Sequence, residues 1–169
     1  QCAMLLDQLT PPTTKSETRA FPSLAAVRAM SDGVGILQHG RGIIPDRDHG
    51  YCIDDNARAL MLMNSLPRDG FGQAGELAIR YASFVQHAWN PAAGRIRNFM
   101  GYDRRWVEEE GSEDSNGRAL WTLGHCAGRA RMAGLSAWGL EWFERTAAIT
   151  EDFRSPRAIA FAVLGADEL

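Results

Sequence analysis

The chain carries one motif twice, sixty residues apart. The first copy reads Asp54-Asp55-Asn56-Ala57-Arg58-Ala59-Leu60 and the second Asp114-Ser115-Asn116-Gly117-Arg118-Ala119-Leu120. Asn falls on Asn, Arg on Arg, and the Ala-Leu pairs on one another. Each copy joins a polar, acidic turn to an amphipathic helix, with Gly50-Tyr51-Cys52-Ile53 ahead of one and Gly111-Ser112-Glu113 ahead of the other. A repeat of this length holds about one helical hairpin with its loops, which predicts a fold of repeated helix pairs. It also predicts a site, because both copies gather carboxylates, an amide and a guanidinium at the same end of their helices.

Periodicity and punctuation extend this picture along the chain. Residues 1–20, rich in Pro, Thr and charge towards their end, read as a linker or N-terminal arm, and 21–169 as one domain. Pro22 opens a short helix to about Met30, with Leu24, Val27 and Met30 at helical spacing. The Gly-rich stretch from Ser31 to Ile53 reads as a long, functional loop. Helices are then expected over about 55–65, 74–89, 116–132 (interrupted by Gly124 and Gly128) and 137–149, with a turn at Gly70 and Gly72. A last helix opens at Ser155-Pro156, a cap followed by a first-turn proline. A second irregular stretch, bracketed by Pro91 and Gly111, contains Phe99, Tyr102 and Trp106 and has room for a short hairpin. Strand signals are nearly absent, so the expected class is all-α. The chain begins with Gln and ends in an apolar helix without a following partner, which reads as a piece of a longer protein. The alternative is a small complete helical domain.

Composition removes several functions. A net charge of −3 with no basic stripe argues against a nucleic-acid partner. No apolar run approaches the ~20 residues that span a bilayer, and Gln1 to Asp7 lack the basic start and long apolar core of a signal peptide. Cys2, Cys52 and Cys126 are widely spaced in apolar or helical surroundings, as free thiols of a reducing compartment are, so a cytoplasmic location is expected. With no CxxC or HxxxH pair, neither a metal nor another cofactor is expected.

The acidic turns admit a structural and a chemical reading. An Asp before an apolar run is a helix N-cap, and one of Asp54 and Asp55 is expected to serve so. The other is a candidate acid or base, since Arg58, four residues beyond Asp54, is placed to neutralise one carboxylate only. Glu113 and Asp114 repeat the arrangement, with Arg118 four residues beyond Asp114. His39 and His49 lie in polar loop sequence, either as surface residues or as site residues. Tyr51 and Trp106, each a few residues ahead of an acidic turn, are either core aromatics or platforms for a sugar face.

Taken together, His49-Gly50-Tyr51-Cys52-Ile53-Asp54-Asp55-Asn56-Ala57-Arg58-Ala59-Leu60 and Gly111-Ser112-Glu113-Asp114-Ser115-Asn116-Gly117-Arg118-Ala119-Leu120-Trp121 resemble the signature segments of a known family. It is a bacterial family of carbohydrate-active, six-hairpin (α/α toroid) glycosidase-like proteins, often found beside or fused to family-4-type glycosyltransferases. Gly35-Ile36-Leu37-Gln38-His39 and Pro45-Asp46-Arg47 fit the same pattern, and the resemblance covers about residues 20–165. It implies helical hairpins of an (α/α)6 toroid, of which this chain supplies about half a ring. It implies an oligo- or polysaccharide substrate and, as partner, a glycosyltransferase domain or a C-terminal half. The activity implied is glycoside cleavage, with Asp54, Asp55, Glu113 and Asp114 as candidate catalytic carboxylates. His39, Arg47, His49, Tyr51, Asn56, Arg58, Trp106, Asn116 and Arg118 are the candidate substrate contacts. In a phosphorylase, phosphate would replace the base, with Arg47, Arg58 and Arg118 as its contacts. The alternatives are a sugar-binding module serving a glycosyltransferase and a helical-repeat interaction module whose acidic turns are only caps.

Overall fold

The computed structural model describes residues 23–67 and 71–169. The N-terminal arm expected at 1–20, Cys2, Pro22 and Gly70 lie outside those residues, while Gly72, expected in a turn with Gly70, falls within the helix that begins at Phe71. The first element is a short helix, α1 (Ala25–Ala29), followed by strands β1 (Leu37–Arg41) and β2 (Ile44–Cys52). Helices α2 (Ile53–Ser65) and α3 (Phe71–His87) come next, then three two-residue strands, β3 (Trp89–Asn90), β4 (Arg95–Ile96) and β5 (Phe99–Met100). Helices α4 (Glu113–Arg129) and α5 (Ala133–Thr146), a 3-10 segment (Ala147–Asp152) and α6 (Pro156–Asp167) complete the order.

The all-α expectation is therefore corrected to a mixed α and β fold. The Gly-rich stretch before α2 is a β-hairpin, not a loop. Its two-residue turn lies between Arg41 and Ile44, with Gly42 at φ 63° in the first position, a conformation that glycine takes without a Cβ clash. β5 pairs with the other side of β2 through Tyr51 opposite Met100 and Cys52 opposite Phe99, giving the sheet order β1-β2-β5. β3 and β4 pair separately. Gly50, also at φ 63°, lets β2 and β5 approach, since a Cβ there stands 2.2 Å from the Met100 carbonyl oxygen.

The helices divide into a row and its backing. α2, α4 and α6 lie side by side, while α3 folds back on α2 and α5 on α4. The row is parallel. At one end Arg118 of α4 reaches Asp54 of α2, and towards the other the Asn64 amide donates to Cys126 Sγ at 3.2 Å. The core sits where the row meets its backing and the sheet, around Tyr51, Leu60, Met63, Tyr81, Leu120 and Leu123, all buried. Each such side chain contributes roughly 2–3 kcal/mol by leaving water.

α4 runs unbroken through Gly124 and Gly128, which were expected to interrupt it. These glycines let α6 lie against it: a Cβ at Gly124 stands 1.9 Å from the Gly165 carbonyl oxygen, and one at Gly117 stands 2.7 Å from that of Ala158. At the far end of the contact, Glu168 accepts from Trp121 Nε1 at 3.0 Å. The same carboxylate meets His125 Nδ1 at 2.6 Å and Arg129 Nε at 3.5 Å. These three donors, four residues apart on α4, form one stripe that clasps the C-terminal turn of α6. Among the described residues no helix is long and apolar enough to cross a membrane.

Close packing of α4 on α6 gives a direct stability test. Gly124→Ala is expected to cost about 2 kcal/mol in urea unfolding, because overpacking outweighs the gain in helix propensity. Gly134→Ala on α5, where nothing stands within 4 Å of the new Cβ, is expected to be neutral or to stabilise by up to about 1 kcal/mol. Equal effects at the two positions would contradict this packing.

Candidate functional site

The two asparagines of the repeat do the same work, and it is structural. Asn56 Oδ1 accepts from the backbone N–H of Ile36, twenty residues upstream, at 3.0 Å. Its amide donates to the carbonyls of Cys52 at 2.9 Å and Ile36 at 3.4 Å. Asn116 Oδ1 accepts from Ile96 N–H, also twenty residues upstream, at 2.9 Å. Its amide donates to the carbonyls of Ser112 at 2.9 Å, Gly111 at 3.1 Å and Ile96 at 3.1 Å. Both side chains are fully buried. Each ties the start of its helix to the chain ahead of it, and neither is presented to a ligand.

With the helix starts so fixed, the N-terminal ends of α2, α4 and α6 meet at one polar cleft of about 540 Å³. Asp54, Asp55 and Arg58 come from α2, Asp114, Ser115 and Arg118 from α4, and Arg157 from α6. Gln38, His39, Cys52, Asn98, Phe99 and Ser112 complete its wall. Arg58 bonds both acids of its own turn, Asp54 at 3.2 Å and Asp55 at closer range, so it does not neutralise one alone. Arg118 does not pair with Asp114 as its spacing suggests. It crosses to Asp54, with its guanidinium 4.3 Å from the centre of the Phe161 ring on α6. Asp114 is instead taken by Arg157 and by the Ser155 hydroxyl, which donates at 2.9 Å.

Neither Asp54 nor Asp55 is the N-cap of α2; that position is Cys52, which makes no side-chain cap, and both acids sit in the first turn. Ser112 caps α4 by accepting from Ser115 N–H, and Ser155 caps α6. Glu113 does not face the cleft. Its Oε2 accepts the backbone N–H groups of Arg154 and Ser155, both at 2.6 Å, and so secures the approach to α6.

The proposed aromatic platforms also lie elsewhere. Tyr51 is buried, packed between Phe84 and Tyr102, and its hydroxyl donates to Asp32. Trp106 packs on Phe84 and His87 with the Arg97 guanidinium over its ring. Arg47 lies over Tyr102 and lines a separate hollow beside Asp46. His39 does line the cleft, with His49 edge-on beside it at 4.5 Å between ring centres.

Arg157 and Phe99 were not read from the sequence as site residues. A signal for the first existed: a cation in the first turn of a helix opposes the helix dipole and needs an acid nearby to hold it. Its partner feels the result. The Arg157 guanidinium, helped by the Ser155 hydroxyl, holds the Asp114 carboxyl below the usual carboxylate range. Cys52 is driven the other way, its thiol pushed up to about 12 by burial and by the Asp55 carboxylate that it donates to at 3.0 Å. A proton-bearing thiol is no nucleophile at neutral pH. Among the described residues no group of three or more His, Cys, Asp or Glu is placed to hold a metal ion.

Asn116→Ala is expected to destabilise the fold by about 3 kcal/mol in urea, because it strands several buried backbone groups at once. Arg157→Gln is expected to raise the Asp114 pKa towards the ~3.9 of a free side chain, read by carboxyl-carbon NMR titration. The sign follows from linkage: a depressed folded pKa contributes stability that is present above the unfolded value and lost as pH falls through the folded one. An Asp114 titration unmoved by the substitution would contradict the pairing. Comparison of the chain with known protein families, with curated proteins and with solved structures finds no match.

Proposed function

We propose that this chain is a carbohydrate-active domain that binds an oligo- or polysaccharide in the cleft and cleaves a glycosidic bond there. The observation that carries the reading is the meeting of Asp54, Asp55 and Asp114 with Arg58, Arg118 and Arg157 at the ends of three helices. Carboxylates accept hydrogen bonds from sugar hydroxyls and guanidiniums donate to them, so an alternating array addresses a polyhydroxylated ligand at several points. A cleft of about 540 Å³ is within the range of small-molecule sites. The likeness of the two repeated segments to a carbohydrate-active bacterial family supports the same substrate class.

Glycoside cleavage asks for one carboxyl that gives a proton to the leaving oxygen and one carboxylate that activates water or attacks the sugar. Asp114, kept ionised by Arg157, suits the second role. Asp55 takes the first in this proposal: Arg58 bonds Asp54 as well, so it keeps a carboxylate partner when Asp55 carries the proton, and Asp54 positions Arg58 and Arg118. Glu113 has no part in the chemistry. The proposal places the protein in the cytoplasm, with a glycosyltransferase domain as partner and no cofactor. The same ion pairing favours a second reading, a sugar-binding module without turnover, because every cleft carboxylate already has a guanidinium partner.

Paired substitution separates these readings. Asp55→Asn with Asp114→Asn is expected to lower turnover of mannose- or glucose-based oligosaccharides at least 100-fold, with sugar binding and helicity retained. Saturable binding by the wild-type protein without any turnover, with or without phosphate, would make it a binding module. If the wild-type protein neither binds nor turns over sugar, the carbohydrate reading falls and the acidic turns are structural.

A further inference from the structure

Phe99 stands in the cleft wall, although its neighbours in sequence do not explain why a large apolar ring should be there. Strand β5 alternates: Met100 points into the core and is buried, while Phe99 points out and keeps 39% of its surface exposed. The backbone under the ring is held on both edges. Phe99 pairs with Cys52 of β2. Its carbonyl accepts from Val107 N–H at 2.9 Å, and its own N–H and that of Asn98 both donate to Glu108 Oε1, at 3.2 and 2.9 Å. The ring is thus an apolar surface on a fixed strand, beside the ion-paired acids and arginines of α2 and α4.

We propose that Phe99 is the stacking floor of the cleft and that the site selects an uncharged pyranoside. The inference rests on the carbohydrate reading of the same cleft and goes beyond it in naming both the platform and the charge class. A pyranose carries axial C–H groups on one face, and these pack on an aromatic ring whose face is negative. Its hydroxyls lie at the ring's edge, where Asp and Arg side chains reach them. Charge decides the class. Asp54, Asp55 and Asp114 are matched by Arg58, Arg118 and Arg157, and each of these guanidiniums already bonds at least one of those carboxylates. A uronate or a phosphate must break an ion pair to gain a guanidinium, and it then meets the released carboxylate. An uncharged sugar adds hydrogen bonds without breaking any pair.

The test is calorimetric titration of the full chain with neutral mannose- and glucose-based oligosaccharides, and with the matching uronates and sugar phosphates. Phe99→Ala is expected to weaken binding of the neutral sugar about tenfold, from loss of roughly one buried ring face. Phe99→Trp, which keeps an aromatic face, is expected to bind as the wild type does. Neutral-sugar affinity is expected to be unchanged between low and high salt. Thermal unfolding of both variants checks that they fold. If Phe99→Ala folds and binds as tightly as the wild type, the platform is refuted. If both variants are unfolded, binding of neutral sugar by the wild type in preference to the charged sugars still supports the charge class, and the reverse preference overturns it. Salt-sensitive binding of uronates or sugar phosphates alone overturns the neutral class. If the wild type binds none of the three classes, the underlying carbohydrate reading fails, and the platform with it.

Discussion

Two buried amides hold this molecule in register. A buried primary amide must bond its oxygen and both its hydrogens or leave a polar atom stranded, at a cost of about 1–3 kcal/mol for each one. Asn56 and Asn116 meet that demand in the same way, each gripping the backbone of an isoleucine twenty residues upstream and the carbonyl one turn back. The grip fixes where α2 and α4 begin relative to the strands ahead of them. Sequence identity at these two positions is thus conserved geometry within one chain: the same side chain solves the same problem sixty residues later.

Once the helix starts are set, the row assembles through its polar ends as much as through its core. Asp54 reaches Arg118, Arg118 lies over Phe161, and Asp114 holds Arg157 and Ser155, so side-chain contacts link all three helices at the cleft. Glycines on α4 and α6 allow backbone approach along the middle of their contact, and Glu168 ties the opposite end. The cleft is therefore placed by a rigid frame, which is what a site needs if its acids and guanidiniums are to meet a ligand without reorganising. The apolar groove between α3 and α5, lined by Ile79, Met132, Leu135 and Trp138, offers no charged group of this kind.

Helices were legible because their signals are local. Ser112 and Ser155-Pro156 mark two starts, and apolar spacing marks the bodies between. The strands were not, apart from the short hairpin for which the stretch after Pro91 left room and which β3 and β4 form. β1 and β2 carry Gln38, His39, Arg41, Pro45, Asp46 and Asp48, with little of the apolar alternation that betrays a half-buried strand, because most of the hairpin faces solvent. β3, β4 and β5 are two residues each, too short for any period to show. In the site, the doubled Asp and Arg positions were readable, whereas the partners were not. Arg118 prefers Asp54 of a neighbouring helix to Asp114 of its own, a choice that only the parallel packing creates. That Phe99 and not Tyr51 faces the cleft has a similar cause, since which aromatic does so depends on strand register.

One cleft, built by two repeated motifs and a third helix, is the proposed place where this protein meets a carbohydrate. A crystal structure of the chain grown with a neutral oligosaccharide tests it most directly. Sugar density is expected between the N-terminal ends of α2, α4 and α6, with hydroxyls bonded to Asp54, Asp55 or Asp114 and to Arg58, Arg118 or Arg157. Density in the groove between α3 and α5, or none with the sugar in large excess, would contradict it.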